Sequence, residues 1–572
     1  MSLIGEIQRS QLITTYGIGS IYDALDYSVI IAGLEKWRPE NTEILQEERL
    51  QKKLGVKFFR QPKVIDGVPT IPSYRFPEWV FCPKCKSLKP IYELQDRTEK
   101  KCARCKEKYI PARFIVSCSK GHLDDFPWIW WVHKGQSCER PKLKIHTTGR
   151  TTSLAGIMVS CENEGCGASR TLEGIFGKNA LRGLKCRGKR PWLGPGNKED
   201  CDETPRVLQR GSASVYYSVT ESAISIPPFS ERIQIFLREF EDEIKYLSED
   251  TLPDYFAAKL QKTGENFRVK DLIEVALKRK DPQDKEETDI DLRHAEYEAL
   301  CHPGAMNAKD EFAAEEGDVP FLYREQIARL VLVHRLREVR ALTGFRRIEP
   351  DGEIAAISQK PQNWRPAAEM KGEGLFIEMN RQAMAEWIAK AEPASLRRVE
   401  NLETMRLEQR RRSRPWAEQR IITPQFLLIH TMAHILIQQL ILDCGYSSSA
   451  LRERLYINDG SDGCPEMSGF LIYTATSDSE GSLGGLVRQG VRSRFSEVMS
   501  KALEQARWCS NDPLCMESEG QGHNSLNLAA CHSCCLLPET SCELRNCYLD
   551  RGVVIGTDGR AETGFFPEKP FA

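Results

Sequence analysis

The chain has 572 residues, a length that suggests three or four domains. Hydrophobic residues make up 41% of it, enough for sizeable cores, and a formal net charge of −1 excludes binding of nucleic acid through overall charge. The sequence contains no run of eighteen or more consecutive apolar residues, and residues 1–17 lack the basic and then apolar pattern of a secretory signal. We therefore expect a protein without a membrane span that stays in the reducing cytoplasm.

The twenty cysteines are distributed unevenly along the chain. Ten lie between Cys82 and Cys201, and seven lie between Cys509 and Cys547. Disulfides do not persist in a reducing compartment, and free core cysteines would be scattered as small buried apolar residues. Clustered cysteines therefore predict metal sites, and zinc is the expected cofactor.

The first part of the chain divides into two regions by composition. Residues 1–75 form an N-terminal segment with a glycine-punctuated stretch at 16–20 and a strand-like run at 28–33. Residues 76–220 are rich in cysteine, glycine, proline and lysine and contain short strand-like pieces. This composition predicts zinc-ribbon-like β modules rather than one large core.

The middle of the chain, residues 221–420, is strongly charged and is predicted to be mainly helical. Apolar residues recur three and four positions apart in segments 232–247 and 326–344, so both segments are predicted to be helices. A basic run follows at 410–414.

The last region, residues 421–572, is predicted to be a C-terminal α/β domain that ends in the second group of cysteines. The predicted fold class is therefore α+β and multidomain, with N-terminal zinc-ribbon-like β modules, a central charged helical region and a C-terminal α/β domain that holds a cysteine-ligated zinc site. The elements predicted in the last region are a helix at 423–442, a strand at 469–476, a glycine-rich turn at 481–485 and a helix at 492–508.

The first predicted zinc site consists of two C-x2-C motifs. Cys82 and Cys85 are separated from Cys102 and Cys105 by sixteen residues, a spacing that suits a β-hairpin returning the second pair to the first. Four thiolates satisfy the tetrahedral preference of zinc. A redox function is the alternative for a single CxxC motif, and the second pair argues against it.

The remaining cysteines of this region have looser spacing. We predict a second site formed by Cys161, Cys166, Cys186 and Cys201. A third site is a weaker alternative to a packed aromatic loop, because four aromatic residues lie among its candidate ligands. Those candidate ligands are Cys118, His122, His133 and Cys138, and the aromatic residues are Phe126, Trp128, Trp130 and Trp131.

The C-terminal cysteines predict one further zinc site. Cys531 and Cys534 form a knuckle, and Cys515 and Cys542 would complete four ligands. Cys509 competes with them for a place. A catalytic zinc keeps three protein ligands and one open position. These cysteine groups offer four or more thiolates for each zinc, so we expect structural sites.

Three motifs resemble catalytic ones and are interpreted otherwise. Gly183–Arg190 resembles a phosphate-binding loop but has Arg190 where Ser or Thr must bind Mg²⁺. His430 and His434 lie one helical turn apart, but Thr431 follows the first where a zinc protease needs Glu, so buried histidines with core partners are favoured. The glycine-rich turn at 481–485 is interpreted as tight packing, with a phosphate cradle as the alternative.

Local basic patches suggest contact with a nucleic-acid backbone, although a charge run is often only a solvated surface. The candidate residues are Lys189, Arg190, Arg410, Arg411, Arg412 and Arg414.

The rival hypothesis is a metal-dependent nuclease or hydrolase, which needs clustered carboxylates. A purely structural adaptor is a third possibility. The residues that would serve the nuclease are His430, His434, Asp459 and Asp462.

Seven motifs taken together resemble DrmB proteins, which belong to the bacterial DISARM anti-phage defence system. Their joint order covers almost the whole chain, and the C-terminal part also resembles a zinc-binding domain at the tail of some DNA helicases. The motifs lie at residues 9–17, 29–34, 121–128, 430–434, 481–485, 531–534 and 537–542.

The resemblance implies a partner role. It implies a non-catalytic zinc-binding subunit that forms a heterocomplex with a DrmA-type helicase and binds DNA through that complex, with ATPase activity in the partner. It also implies that Cys515, Cys531, Cys534 and Cys542 are the metal ligands of the tail domain.

Overall fold

The computed structural model describes most of the chain. The described residues are 5–24, 27–65, 68–94, 101–147, 149, 153–265, 267–280, 287–304, 311–350, 352–390, 393–413, 422–460, 463–474, 484–557 and 560–567.

The described residues form twenty strands and thirteen α-helices. The strands are β1 (Ile21–Asp23), β2 (Ser28–Ile31), β3 (Thr42–Leu45), β4 (Phe58–Pro62), β5 (Ser73–Arg75), β6 (Trp79–Phe81), β7 (Ser87–Pro90), β8 (Ile110–Pro111), β9 (Phe114–Ser117), β10 (Leu123–Asp125), β11 (Leu143–Thr147), β12 (Ile157–Cys161), β13 (Ser169–Thr171), β14 (Arg206–Gln209), β15 (Tyr217–Ile224), β16 (Ala313–Gly317), β17 (Ile327–Arg346), β18 (Trp364–Met379), β19 (Leu451–Asn458) and β20 (Met467–Thr474). The helices are α1 (Arg9–Ile13), α2 (Glu48–Leu54), α3 (Trp128–His133), α4 (Glu231–Glu239), α5 (Glu241–Ile244), α6 (Leu252–Thr263), α7 (Val269–Lys280), α8 (Asp289–Cys301), α9 (Arg381–Lys390), α10 (Pro393–Ser413), α11 (Pro424–Cys444), α12 (Arg492–Ala506) and α13 (Arg551–Ile555).

Two compact units are formed, and the chain passes between them several times. This grouping in space does not test where independently folding domains begin and end, so the boundaries at residues 75, 220 and 420 stay predictions. Unit 1 contains Met1–Leu45, Val56–Ser222 and Arg340–Ala368, and unit 2 contains Gln46–Gly55, Ala223–Val339 and Glu369–Ala572.

Unit 1 consists mainly of small antiparallel sheets. Its largest sheet has six strands in the order β13-β12-β11-β7-β6-β8, and a three-stranded sheet has the order β10-β9-β14. Both sheets contribute to one apolar core, which the short aromatic helix α3 completes with the buried side chains of Trp128 and Trp131. The cysteine-rich region therefore contains a continuous apolar core as well as cysteines grouped like metal ligands.

Unit 2 mixes helices with a sheet. Helices α4–α8 confirm the predicted helical character of the central region, and α11, β20 and α12 confirm the elements predicted near the C terminus. Strands β19 and β20 pair antiparallel from Leu451 opposite Thr474 to Asn458 opposite Met467. The predicted α+β class is confirmed.

The helix predicted at 326–344 is wrong, because this segment forms strand β17. The strand has sheet neighbours on both sides, and four consecutive residues from Leu330 to Val333 are buried. A strand buried on both faces shows a nearly continuous apolar run, which also fits a helical period. Its buried Arg337 is accommodated because it donates to Glu369 (2.7 Å) and to the Ser225 hydroxyl (2.9 Å).

Helix α11 lies at the centre of the core of unit 2. Thr423 caps its N terminus by accepting a hydrogen bond from the Phe426 amide (3.1 Å), and Pro424 occupies the first turn, where no amide donor is needed. Gly445 ends the helix in the left-handed region, with φ of 69°. By length and composition α11 could cross a membrane, but 78% of its most apolar window is buried inside the protein, as is usual for a core helix.

A single buried arginine joins three separate segments of unit 1. Arg347 donates to the carbonyl oxygens of Gly121 (3.0 Å), Gly19 (2.6 Å) and Val215. Its side chain is fully buried, and this burial lowers the pKa of Arg347 to about 9, so it stays largely charged near neutral pH.

Replacing this arginine by an apolar residue should destabilise the protein. Arg347→Leu leaves three buried carbonyl groups without donors, and each unpaired group costs about 1–3 kcal/mol, so we expect the free energy of unfolding to fall by about 3 kcal/mol or more. The exposed ion pair of Arg206 with Glu349 provides the control, since Arg206→Leu should cost less than about 1 kcal/mol. Urea unfolding followed by circular dichroism measures both. Equal losses for the two variants would contradict the prediction.

Candidate metal centres

Five groups of four potential ligand atoms occur among the described residues. In each group the four atoms lie within 4.8 Å of one another. We name them the ribbon cluster (Cys82, Cys85, Cys102, Cys105), the hairpin cluster (Cys118, His122, Cys186, Cys201), the aromatic cluster (His133, Cys138, Cys161, Cys166), the tail cluster (Cys509, Cys515, Cys531, Cys534) and the helix cluster (His430, His434, Glu453, Cys542).

The sulfur separations fit a tetrahedral zinc ion. A Zn–S bond of about 2.3 Å places two thiolates of a tetrahedron about 3.8 Å apart. The Sγ–Sγ distance is 3.7 Å between Cys85 and Cys102, 3.9 Å between Cys118 and Cys201, and 3.8 Å between Cys515 and Cys534. These separations are far too long for disulfides, and none of the twenty cysteines, all of which lie within the described residues, forms one.

The ribbon cluster is formed by two knuckles with the same backbone geometry. The Lys86 amide donates to the Cys82 carbonyl (2.9 Å), and the Lys106 amide donates to the Cys102 carbonyl (2.8 Å). Lys86 and Lys106 are both left-handed, with φ of 62° and 61°. The structure thus brings together all four cysteines that the spacing grouped.

Hydrogen bonds in the ribbon cluster favour a thiolate. Burial raises the pKa of Cys102, but hydrogen bonds from the backbone amides of Cys105 and Arg104, together with those from neighbouring side chains, outweigh it and lower the pKa to about 6. Cys161 of the aromatic cluster behaves similarly, since the amides of Asn163 and Lys142 outweigh its burial and lower its pKa to about 7. A thiolate is the form of cysteine that binds a metal.

The structure divides the second site that we predicted from the sequence, which consisted of Cys161, Cys166, Cys186 and Cys201. Its first two members lie in the aromatic cluster and its last two in the hairpin cluster. The missing donors come from the segment that we interpreted as a packed aromatic loop. The aromatic interpretation holds for Trp128 and Trp131, which are buried, while the ends of the same segment supply two donors to each cluster.

Local structure explains how each pair of donors is placed. In the hairpin cluster, Cys118 and His122 lie on the turn between β9 and β10, with Sγ and Nδ1 3.3 Å apart. In the aromatic cluster, His133 ends helix α3, and its Nε2 lies 3.4 Å from the sulfur of Cys166. The regrouping was not visible from spacing, because all four donors of the aromatic cluster lie between the two pairs of donors of the hairpin cluster in the sequence.

The tail cluster differs from the expected set by one residue. Cys515, Cys531 and Cys534 come together as expected, but the fourth member is Cys509, whose sulfur lies 3.4 Å from that of Cys531. Cys542 belongs instead to the helix cluster. Cys509 was recognised from the sequence as the main competitor, and its neighbour Asn511 donates an amide hydrogen bond to its sulfur (3.4 Å).

The helix cluster contains a ligand that sequence reasoning missed. His430 and His434 come from α11, Glu453 from β19 and Cys542 from the loop before α13, and all four are buried. The two histidines gave a sequence signal through their one-turn spacing and Cys542 through its place among the C-terminal cysteines, whereas Glu453 gave none.

The basic candidates of unit 1 are engaged by acidic partners. Lys189 lies 3.0 Å from Asp124, and Arg190 lies 2.5 Å from Glu199. Asp124 also accepts from Arg187 at 2.6 Å. This patch therefore has less free positive charge than its sequence suggests.

The other basic candidates fall at the edge of the described chain. The backbone of residues 410–412 is helical, as the C-terminal end of α10, while their side chains and all of Arg414 lie outside the described residues.

Two further sequence candidates have weaker support as chemical sites. The described part of the glycine-rich turn already holds a carboxylate, because Glu373 accepts from the amides of Gly484 and Leu486. This occupied position disfavours a phosphate cradle. Asp459 lies on an exposed turn after β19, and Asp462 lies outside the described residues.

Comparison with known proteins identifies the class of the chain. The MrfA Zn-binding domain family matches residues 432–535, and a domain of unknown function (DUF8724) matches residues 8–217. The matched zinc-binding domain contains the tail cluster, so this is a zinc-binding protein with a zinc domain of this family near its C terminus.

The particular family follows from one relative. A protein of Bacillus paralicheniformis (strain ATCC 9945a / NCIMB 11709 / CD-2), named DISARM protein DrmB, is 32% identical over 572 residues, covering 95% of this chain and 99% of that protein. The chain belongs to the DrmB family of DISARM proteins.

Removing one thiolate should remove one zinc ion. Cys105→Ser breaks the ribbon cluster, so we expect the purified full-length chain to lose one zinc per molecule and to unfold at a lower urea concentration. The control is Cys301→Ser, because Cys301 is buried but lies outside all five clusters. Inductively coupled plasma mass spectrometry measures the zinc content. An unchanged content in Cys105→Ser would show that this cluster holds no zinc.

Proposed function

We propose that the chain is a non-catalytic, zinc-stabilised subunit of a DISARM complex that associates with a DrmA-type DNA helicase and helps to hold DNA. The observation that carries this proposal is the match to a DISARM protein over almost the entire length of both chains. A subunit that contains metal-type clusters but borrows its motor from a partner would need no nucleotide-binding loop of its own.

The clusters support a structural function for the metal. Each of the five groups among the described residues offers four protein donors, whereas a catalytic zinc keeps an open position for water or substrate. The helix cluster, which contains the two histidines of the nuclease hypothesis, is buried and out of reach of a nucleic-acid substrate. The geometry therefore favours a subunit over a nuclease.

Exposed apolar side chains beside the tail cluster support docking of a partner there. Trp508 is 68% exposed and Leu514 is 81% exposed, and both lie on the segment that carries Cys509 and Cys515. A large aromatic side chain held on a rigid loop is typical of an interface anchor. We infer that the helicase contacts this segment.

This contact can be tested by co-purification. We expect the double variant Trp508→Ala and Leu514→Ala to bind the helicase encoded beside this protein at least tenfold more weakly, because both anchors lose their apolar surface. Phe321→Ala is the matched control, since Phe321 is 80% exposed in the same unit and away from the tail cluster in sequence. Affinity is measured by biolayer interferometry. Wild-type affinity in the double variant, or no association of the wild-type proteins, would remove the support for this docking surface.

DNA contact is assigned to the arginine run rather than to the patch of unit 1. Arg190 and Lys189 have acidic partners within 3.0 Å, so their charge is partly neutralised. Residues 410–413 of this run form the C-terminal end of a helix of twenty-one residues, and Arg414 lies outside the described residues. We infer that these arginines contact the DNA backbone in the assembled complex.

Binding to the DNA backbone predicts a particular salt dependence. Neutralising Arg410, Arg411, Arg412 and Arg414 with Gln should weaken DNA binding by the complex irrespective of sequence, and should reduce the slope of log K against log salt by about 1 for each arginine that binds a phosphate. The control replaces Arg492 and Arg494, which are exposed at the start of α12, with Gln. Fluorescence anisotropy over a salt series gives the slopes. An unchanged slope in the fourfold variant would refute the assignment.

A further inference from the structure

The helix cluster is built from three parts of unit 2 that are distant in sequence. His430 and His434 lie one turn apart on the same face of α11, with their ring centroids 4.7 Å apart. Glu453 belongs to β19, and Cys542 belongs to the cysteine-rich loop. The side chains of both histidines and of Glu453 are completely buried.

Backbone carbonyl groups fix the tautomers of both histidines. Nδ1 of His430 lies 3.1 Å from the Tyr548 carbonyl oxygen, and Nδ1 of His434 lies 2.9 Å from the Cys535 carbonyl oxygen. A carbonyl oxygen can only accept, so each Nδ1 carries a proton, and in the neutral form of each ring the lone pair of Nε2 is directed inwards. Metal-binding histidines are commonly oriented by this type of hydrogen bond.

The two Nε2 atoms face a carboxylate, an arrangement that needs positive charge, either as protons on the rings or as a cation between them. Nε2 of His430 lies 3.2 Å from Oε1 of Glu453, and Nε2 of His434 lies 3.5 Å from Oε2. Within the described part of the chain, neither Nε2 of His434 nor Oε2 of Glu453 has a hydrogen-bond partner, although both atoms are buried. Buried polar atoms without a partner are costly, and here they converge on one point.

The sulfur of Cys542 has the surroundings of a metal-binding thiolate. It accepts amide hydrogen bonds from Leu544 (3.3 Å) and Asn546 (3.2 Å). The same contact, from the amide two residues later, occurs at three cysteines of the other clusters. Those contacts are Gly188 to Cys186, Asn511 to Cys509 and Ser533 to Cys531, each at 3.4 Å.

We propose that His430, His434, Glu453 and Cys542 bind one zinc ion, separate from the ion of the tail cluster. Bond lengths of about 2.0–2.1 Å to nitrogen and oxygen and about 2.3 Å to sulfur place tetrahedral ligands about 3.3 Å (N to O) and 3.6 Å (N to S) apart. The corresponding distances here are 3.2 Å and, between Nε2 of His430 and Sγ of Cys542, 3.4 Å.

Charge balance also favours the metal over protonated histidines. Zn²⁺ with one carboxylate, one thiolate and two neutral imidazoles has no net charge, which suits a site without access to solvent. Two imidazolium groups 4.7 Å apart would repel each other in the same position. The site is closed by four protein donors, so its function is structural.

The family comparison does not assign this site. The matched zinc-binding domain begins at residue 432 and ends at residue 535, so it omits both His430 and Cys542. The ion would connect α11 to β19 and to the loop that also carries the tail cluster. The two sites would be adjacent along the chain, because Cys534 belongs to the tail cluster and the next carbonyl, of Cys535, orients His434.

The wild-type protein provides the first test. The purified full-length chain should contain five zinc ions per molecule by inductively coupled plasma mass spectrometry. Anomalous diffraction at the zinc edge should show a peak between Nε2 of His434 and the carboxylate of Glu453. Four zinc ions with no peak at this position would overturn the proposal, and this test does not depend on any variant folding.

Variants provide the second test. Cys542→Ser and His434→Gln should each contain one zinc fewer than the wild type and should lose the same anomalous peak, while the tail-cluster peak remains. His523→Gln, a change of an exposed histidine in the same region, should keep all five ions. If Cys542→Ser folds and keeps five ions, the cluster does not hold zinc.

Discussion

Donor atoms from distant segments of the chain converge on single points, and the structure depends on this constraint. In the hairpin cluster, Cys118 and Cys201 are separated by 83 residues, yet their sulfurs lie 3.9 Å apart. Four thiol or imidazole groups at such distances gain little from one another, because they are weak hydrogen-bond partners. A divalent ion turns this arrangement into a strong one, and binding of the ion is then inseparable from folding of the segments it joins.

The metal and the apolar core act together in the cysteine-rich region. The hairpin and aromatic clusters use donors from both ends of a segment whose middle, including Trp128, is buried in the core of unit 1. The apolar core determines the direction in which each end of this segment leaves it. The clusters stabilise the turns at those ends, which so small a sheet could not stabilise alone. In unit 2 the apolar core positions the donors, since the long buried helix α11 holds His430 and His434 next to strand β19.

Sequence reasoning succeeded where the relevant pattern is local. The ribbon cluster could be predicted because its two knuckles lie on neighbouring turns with characteristic spacing. The hairpin and aromatic clusters could not be separated, because the donors of one lie between the two pairs of the other in the sequence and only the fold decides the partners. Glu453 could not be singled out among the 81 Asp and Glu residues of the sequence, because its place in the cluster comes from its position on β19 next to α11. Strand β17 was missed because burial on both faces imitates a helical period.

The central claim is that zinc binding holds the cysteine-rich segments of this DrmB-family subunit in place. Hydrogen–deuterium exchange of the full-length chain, denatured with a chelator and refolded with or without Zn²⁺, tests it most directly. We predict that the amides of Lys86, Lys106 and Asn546 are protected only after refolding with zinc, because their acceptors lie in knuckles that the ion closes. Equal protection of these amides in the zinc-free protein would contradict it.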